Sequence, residues 1–165
     1  MKVLDLEAAK QKAFRLLSLR PHSEKELDKK LREKGFPAVV IKETLEKLHD
    51  LKYLNDASFA NQWARNLAVN KLWGNKKIIA SLREKGVAAE LTDSSIEKAR
   101  EELPEEAALE ILIKKKTAKN QSAALDVKEK QKIFQSLMGR GFPPGLILNK
   151  LRMIKKEDID GEDGQ

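Results

Sequence analysis

Cysteine is absent from the 165 residues, which removes disulfide frameworks and thiolate metal sites together. Histidine occurs twice, at His22 and His49, without the spacing of a ligand set, so no metal and no cofactor are expected. No glycine-rich phosphate loop with a following lysine and serine or threonine is present, which argues against nucleotide hydrolysis. No apolar run approaches the roughly 20 residues of a membrane span. No long apolar stretch follows a basic start, as a secretory signal would require. A soluble, cytoplasmic protein with no membrane contact is therefore the expectation. Aromatic residues make up only 5%, with 8 glycines and 5 prolines, and the β-branched alternation of sheets is missing. Carboxylates are plentiful, but nearly all stand among lysines at positions expected to face solvent. The chain reads as a non-enzyme.

What remains is helical material. Charged residues reach 36%, and alanine, leucine, lysine and glutamate dominate. The net charge of +7 suits nucleic acid or an acidic protein surface and does not choose between them. The most conspicuous stretch is Leu31-Arg32-Glu33-Lys34-Gly35-Phe36, which recurs as Leu82-Arg83-Glu84-Lys85-Gly86-Val87 and, more faintly, as Leu137-Met138-Gly139-Arg140-Gly141-Phe142. Each copy has the form of a helix stop. A glycine takes the left-handed conformation without steric cost, and a basic residue suits the negative helix end.

Taken in order, residues 1–7 read as a lead-in, and Ala9, Ala13, Leu16 and Leu17 give a first helix over 8–19. Pro21 ends it, Ser23 and Glu26 form a capping box, and Leu27 and Leu31 carry the second helix to Gly35. Pro37 opens a third with Ile41, Leu45 and Leu48 inward. Asp56 is placed to cap the next helix, which carries Phe59, Trp63 and Leu67. Ile78 and Leu82 lead to Gly86, and Ser94 with Glu97 is expected to box the following start. Pro104 begins the last group, with Leu109, Leu112 and Ile113 inward and a loop or weak helix end over 117–123. Ile133 and Leu137 then run to Gly141, and Pro143-Pro144 leads into a helix carrying Ile147, Leu151 and Ile154.

Counting from each glycine, apolar residues stand eight and four before it, one after it and ten after it, in all three copies. The glycines are spaced by roughly fifty residues, a repeat period that indicates stacked supersecondary units. The expected fold is all-α: an elongated array of three tandem three-helix modules over 1–54, 55–103 and 104–156. The segment 157–165, rich in acids, is expected to be a disordered tail.

A binding face is sought among the basic residues. Lys34, Lys85 and Arg140 precede the three glycines. Lys25 with Arg32, and Lys76 with Arg83, stand seven residues apart, hence two turns apart on one helix face. The third module replaces that pair with Gln131 and Met138 and offers Lys114, Lys115 and Lys116 instead. Phe14, Phe36, Phe59, Trp63, Phe134 and Phe142 all fit core positions, leaving few rings for base stacking. Any nucleic-acid contact is then expected to be to phosphate and independent of sequence.

The run from Ser23-Glu24-Lys25-Glu26-Leu27 to Lys34-Gly35, the segment Tyr53-Leu54-Asn55-Asp56-Ala57-Ser58-Phe59-Ala60, and the continuation through Gly74 to Gly86-Val87 resemble the bacterial regulatory protein family RecX. The tyrosine-to-alanine segment between two Leu-x-x-Lys-Gly stops is the most specific part. The resemblance covers 8–90 closely and extends to about 154 through Arg140-Gly141-Phe142. Lys52 and Leu19 depart from it, at places where glycine and arginine are common in the family. The resemblance implies a non-enzymatic regulator, usually an inhibitor, that binds the RecA recombinase filament in its helical groove. Such a protein modulates ATPase, strand-exchange and coprotease activities and acts as a monomer, with possible contact to single- or double-stranded DNA. The alternatives are a helix-turn-helix transcriptional regulator and a helical scaffold for another acidic partner.

Overall fold

The structure, a computed structural model, describes the backbone of residues 5–118 and 125–162 and side chains as far as Met153. Among the described residues it is all-helical, with nine α-helices: α1 (Leu6–Leu19), α2 (Glu24–Glu33), α3 (Ala38–Asp50), α4 (Asp56–Arg65), α5 (Asn75–Glu84), α6 (Ala89–Glu102), α7 (Glu105–Thr117), α8 (Val127–Gly139) and α9 (Pro144–Glu162). They form three successive three-helix modules, as the repeat predicts.

All twelve positions counted from the glycines are buried: Leu27, Leu31, Phe36 and Leu45; Ile78, Leu82, Val87 and Ile96; Ile133, Leu137, Phe142 and Leu151. Each fully buried leucine or isoleucine contributes about 1.5–3 kcal/mol of apolar transfer, so the repeated offsets are the repeated core. Gly35, Gly86 and Gly141 have φ of 92°, 77° and 95°, as a left-handed helix closure demands. In each, the residue after the glycine donates its N–H back to the leucine four before it: Phe36 to Leu31, Val87 to Leu82 and Phe142 to Leu137. Two further closures use a left-handed residue other than glycine, the first with the same five-residue bond and the second with a bond one residue longer. Lys52 (φ 63°) precedes Tyr53, which donates to Leu48, and Leu72 (φ 56°) precedes Trp73, which donates to Leu67. Leu72 closes a π-helical turn, Asn66–Asn70, that follows α4. Its side chain is buried, so apolar burial offsets the cost of the left-handed backbone.

The chain divides into two compact units: Met1–Trp63 with Ser81–Ser95, and Ala64–Ala80 with Ile96–Gln165. The chain passes from one to the other within α4, α5 and α6. In the first unit α1, α2 and α3 enclose Ala9, Ala13, Leu27, Leu31, Phe36, Ile41, Leu45 and Leu48, with Leu54 added from the next connection. In the second, α7, α8 and α9 enclose Ala108, Leu109, Leu112, Ile113, Ile133, Leu137, Phe142, Ile147 and Leu151, with Leu72 added.

Each unit contains one joint between successive modules, and the two joints follow one plan. In the first, the N-terminus of α2 receives the glycine turn that ends α5. Ser23 Oγ donates to the Lys85 carbonyl at 2.6 Å, and the Glu24 N–H donates to the Asp56 carboxylate, on the first residue of α4, at 3.0 Å. In the second, the N-terminus of α5 receives the turn that ends α8. The Gly74 N–H donates to the Arg140 carbonyl at 2.7 Å, and the Asn75 N–H donates to the carboxylate of Glu105, the first residue of α7, at 2.7 Å. In both joints the next module's opening acid thus accepts an orphan N–H of the middle helix, while the next module's turn accepts from the Ser23 hydroxyl in the first joint and from the Gly74 and Lys76 N–H groups in the second. A Cβ on Gly86 would stand 2.6 Å from Lys25 Cβ, and one on Gly141 would stand 2.5 Å from the Lys77 N–H nitrogen. The glycines are required by this close approach as well as by their φ.

Several expectations need correction. Helix α6 begins at Ala89, so Ser94 and Glu97 lie inside it and form no capping box; the Ser94 hydroxyl instead donates to the Leu91 carbonyl. Asp56 does not cap α4. Asn55 does, through Ser58 N–H to Asn55 Oδ1 at 3.1 Å, which releases Asp56 to cap α2. Phe14 is 37% exposed and meets Tyr53 edge-on, with ring centroids 5.0 Å apart, rather than entering the core. Trp63 and Phe134 are only half-buried. Helix α9 continues to Glu162, into the segment expected as a disordered tail, with no proline to stop it; residues 163–165 lie outside the described residues, as do 119–124 of the expected loop.

Candidate basic binding face

Polar chemistry in the first unit gathers at its joint. Ser23 and Glu26 form the predicted capping box, and Glu26 is 9% exposed. Its carboxylate accepts from Arg20 Nη2 at 2.6 Å, from Lys85 Nζ at 3.1 Å and from the Ser23 N–H at 3.3 Å. Burial alone would raise its pKa, but the bonds from Arg20, Lys85 and Ser23 outweigh burial and hold it at about 2. Both cations also lie over the indole of Trp63, Lys85 at 5.1 Å and Arg20 at 5.7 Å from the ring centroid. Trp63 in turn stacks on Phe59 and donates its indole N–H to Ser81 at 2.9 Å.

The two histidines have different surroundings. His22 is buried. Its Nδ1–H donates to the Arg20 carbonyl at 2.8 Å and its Nε2 accepts from Lys30 at 3.1 Å, the pattern of a neutral ring. Burial holds its pKa below the ordinary value, in keeping with that. His49 is exposed beside Glu24. Among the described residues, no group of three or more His, Asp or Glu side chains is placed to hold a metal ion. No helix among them is long and apolar enough to cross a membrane.

The sequence-predicted basic residues separate into two sets. Lys25, Arg32, Lys34, Lys76, Arg83, Lys114 and Lys115 are exposed, and Lys116 is half-buried on the last turn of α7. Lys25 and Arg32 on α2, and Lys76 and Arg83 on α5, keep the same seven-residue separation on equivalent helices. Arg32 is steadied by Asp28 one turn earlier at 3.0 Å, which holds the guanidinium outward at little energetic cost. Lys85 and Arg140 belong to the other set. Lys85 is half-buried with its ammonium on Glu26, and Arg140 donates to the Lys71 carbonyl at 3.0 Å. These two, expected on the open face, are fastened into the joints because a preceding module offers each an acceptor.

Sequence reading missed the residues that make the joints. Arg20, Glu26 and Trp63 converge on Lys85. In the second unit, half-buried Arg100 bonds Asn75 at 2.7 Å, the Trp73 carbonyl at 2.8 Å and the Leu103 carbonyl at 3.3 Å. The one available signal was the repeat itself, which puts an acid at the opening of both α4 and α7. The exposed set can hold phosphate or carboxylate groups.

Three family models match, described as the first, second and third three-helix domains of RecX, over residues 9–48, 55–95 and 104–151. Regulatory protein RecX of Pelodictyon phaeoclathratiforme is 34% identical over 152 residues, 92% of this chain and 91% of that protein. Regulatory protein RecX of Vibrio cholerae is 44% identical over 81 residues, 49% of this chain and 53% of its own length. That of Listeria monocytogenes is 35% identical over 131 residues, 79% of this chain and 48% of its own. The chain therefore spans nearly all of one relative and about half the length of the other two. The crystal structure of RecX from Lactobacillus salivarius superposes with a TM-score of 0.74 at 25% identity, covering 92% of this chain and 97% of that one.

Proposed function

Because the chain belongs to the RecX family of regulatory proteins, we propose that it is a non-enzymatic regulator of the RecA recombinase that binds in the groove of the RecA–DNA filament and inhibits it. The observation that carries this reading is the repetition of an exposed cation pair, Lys25 with Arg32 and Lys76 with Arg83, at one spacing on equivalent helices. A filament repeats its surface from protomer to protomer, and linked modules that engage successive protomers gain affinity through effective concentration. The third module carries cations of its own, Lys114, Lys115 and Lys116, on the last turn of α7. Inhibition needs no chemistry. A ligand that binds one filament state better than another shifts the population toward it, and a ligand seated in the groove blocks access. Contacts to DNA along the same face would be to phosphate and would weaken as salt rises.

A helix-turn-helix regulator fits less well. The reading helix would be α3, whose exposed positions include Glu43, Glu46 and Asp50 and which carries no arginine, asparagine or glutamine to pair with base edges. Co-sedimentation with RecA filaments on single-stranded DNA tests the proposal. The parent is expected to pellet with filaments, and the fourfold charge reversal Lys25→Glu, Arg32→Glu, Lys76→Glu, Arg83→Glu to remain in the supernatant with unchanged helicity. Equal pelleting of both would remove the basic face from the account.

A further inference from the structure

We propose that the exposed rings of Phe14 and Tyr53, flanked by Arg15 and Lys52, form a site for single-stranded nucleic acid, with an unpaired base stacked on the rings and its phosphates on the cations. The inference goes beyond the RecA reading and stands without it, since it concerns α1 and the turn after α3 rather than the cation pairs of α2 and α5. Phe14 has the spacing of a core residue, yet it is 37% exposed, and Tyr53 is 57% exposed. The two rings meet edge to face, with centroids 5.0 Å apart and planes at 89°. Each holds the other in place at the surface. Rings fixed in this way and open to solvent have the form of a base-stacking platform.

The backbone beside the rings points the same way. Lys52 has φ of 63°, in the left-handed region that is strained for residues other than glycine. Glycine fills this role at Gly35, Gly86 and Gly141, and at Leu72 the strain is offset by burial. Lys52 is exposed, so packing offsets nothing there. Strain kept without a packing return marks a functional position, and what lysine adds over glycine is a charge next to Tyr53. Arg15 adjoins Phe14 in the same way and is exposed; among the described residues no acid pairs with either cation. From Lys10 to Arg20 the chain carries four basic residues and no acid. One turn before Phe14, Lys10 lies beside Lys47, whose ammonium group holds the Lys10 pKa below its ordinary value. Glu7 and Glu43 act on Lys10 in the opposite sense, and Asp50 is the one acid between Lys47 and Tyr53. Two ammonium groups about 5.4 Å along the helix from a ring suit a phosphate. An unpaired strand offers a flat apolar face and an anion at every step, whereas a duplex hides its base faces. Symmetric pairing of two copies would set these cations against one another.

The test is fluorescence anisotropy of a labelled oligothymidylate titrated with the full chain, without RecA, at several salt concentrations. Tyr53→Ala is expected to weaken binding by roughly tenfold with the slope of affinity against salt unchanged, and Tyr53→Phe to bind as the parent does. Lys52→Gly is expected to weaken binding severalfold and to reduce that slope by about 0.7, the loss of one phosphate contact on a single strand, while melting slightly above the parent. A merely structural role for Lys52 would not give weaker binding with a higher melt. A parent that does not bind the oligonucleotide at low salt, or a Tyr53→Ala variant that binds as well as the parent, overturns the inference and leaves the RecA reading untouched, because that reading is tested on filaments. A Tyr53→Ala loss equally large on a duplex of the same length removes stacking and overturns it. So does a loss confined to RecA filaments, which assigns the rings to a protein partner, or a parent dimer that Tyr53→Ala dissolves. Should Tyr53→Ala fold poorly, Lys52→Gly decides.

Discussion

Glu26 offers a pH-dependent test of the joint in the first unit. Its pKa falls from an ordinary 4.5 to about 2 because Arg20, Lys85 and the Ser23 N–H all donate to a carboxylate that is 9% exposed. In the unfolded chain the same group titrates near 4.3. The folded value is the lower one, so the unfolded state binds the proton more readily as acid is added. The stabilisation is therefore complete above about pH 5 and is lost as pH falls toward 2. At roughly 1.4 kcal/mol per pK unit the whole effect is about 3 kcal/mol, of which about 2 kcal/mol disappears between pH 6 and pH 3. Glu26→Gln keeps the shape and cannot titrate. Urea unfolding of parent and variant, followed by circular dichroism at pH 6, 4 and 3, isolates the group, because every other carboxylate is common to both. The parent is expected to be the more stable at pH 6 by about 3 kcal/mol, with the gap closing to about 1 kcal/mol at pH 3. Stability curves that stay parallel across that range would refute the joint as described.

The glycines should divide by environment. Gly86→Val forces a β-branched residue into φ 77° and drives its Cβ against the Lys25 stem, and should cost at least about 2 kcal/mol in a thermal or urea melt. Gly139→Ala, inside α8 with nothing within 4 Å of the added Cβ, should stabilise by about 0.5–1 kcal/mol in the same measurement. Lys52→Gly relieves a left-handed lysine at an exposed helix closure and should raise stability by up to about 1 kcal/mol, read as a melt a few degrees higher.

The core was legible because its signals are local. Apolar residues at fixed distances from Gly35, Gly86 and Gly141 are dictated by helical geometry within one module, and every one of the twelve is buried. Capping at Ser23 and closure by glycine are equally local, and both appear where the sequence places them. What could not be read is the choice between equivalent partners. Asp56 can accept from its own helix start or from another, and the tertiary arrangement sends it to Glu24, 32 residues away. Lys85 and Lys34 look identical in sequence, yet a preceding module gives Lys85 an acceptor in Glu26. Phe14 shares the apolar spacing of α1 but leans on Tyr53 at the surface, because Ala9 and Ala13 already fill the inward line. In the candidate face, the exposed cations of α2 and α5 were foreseeable from helical spacing. The removal of Lys85 and Arg140 from that face was not, since it depends on contacts 59 and 69 residues apart.

The most direct measurement of the central claim is RecA's ATP turnover on single-stranded DNA as this protein is added. Turnover is expected to fall at ratios well below one molecule per RecA protomer, and the fourfold charge reversal on α2 and α5 should abolish the fall without altering the fold. Turnover that is unchanged by the parent at any ratio, with no co-sedimentation of the parent with filaments, would contradict the account.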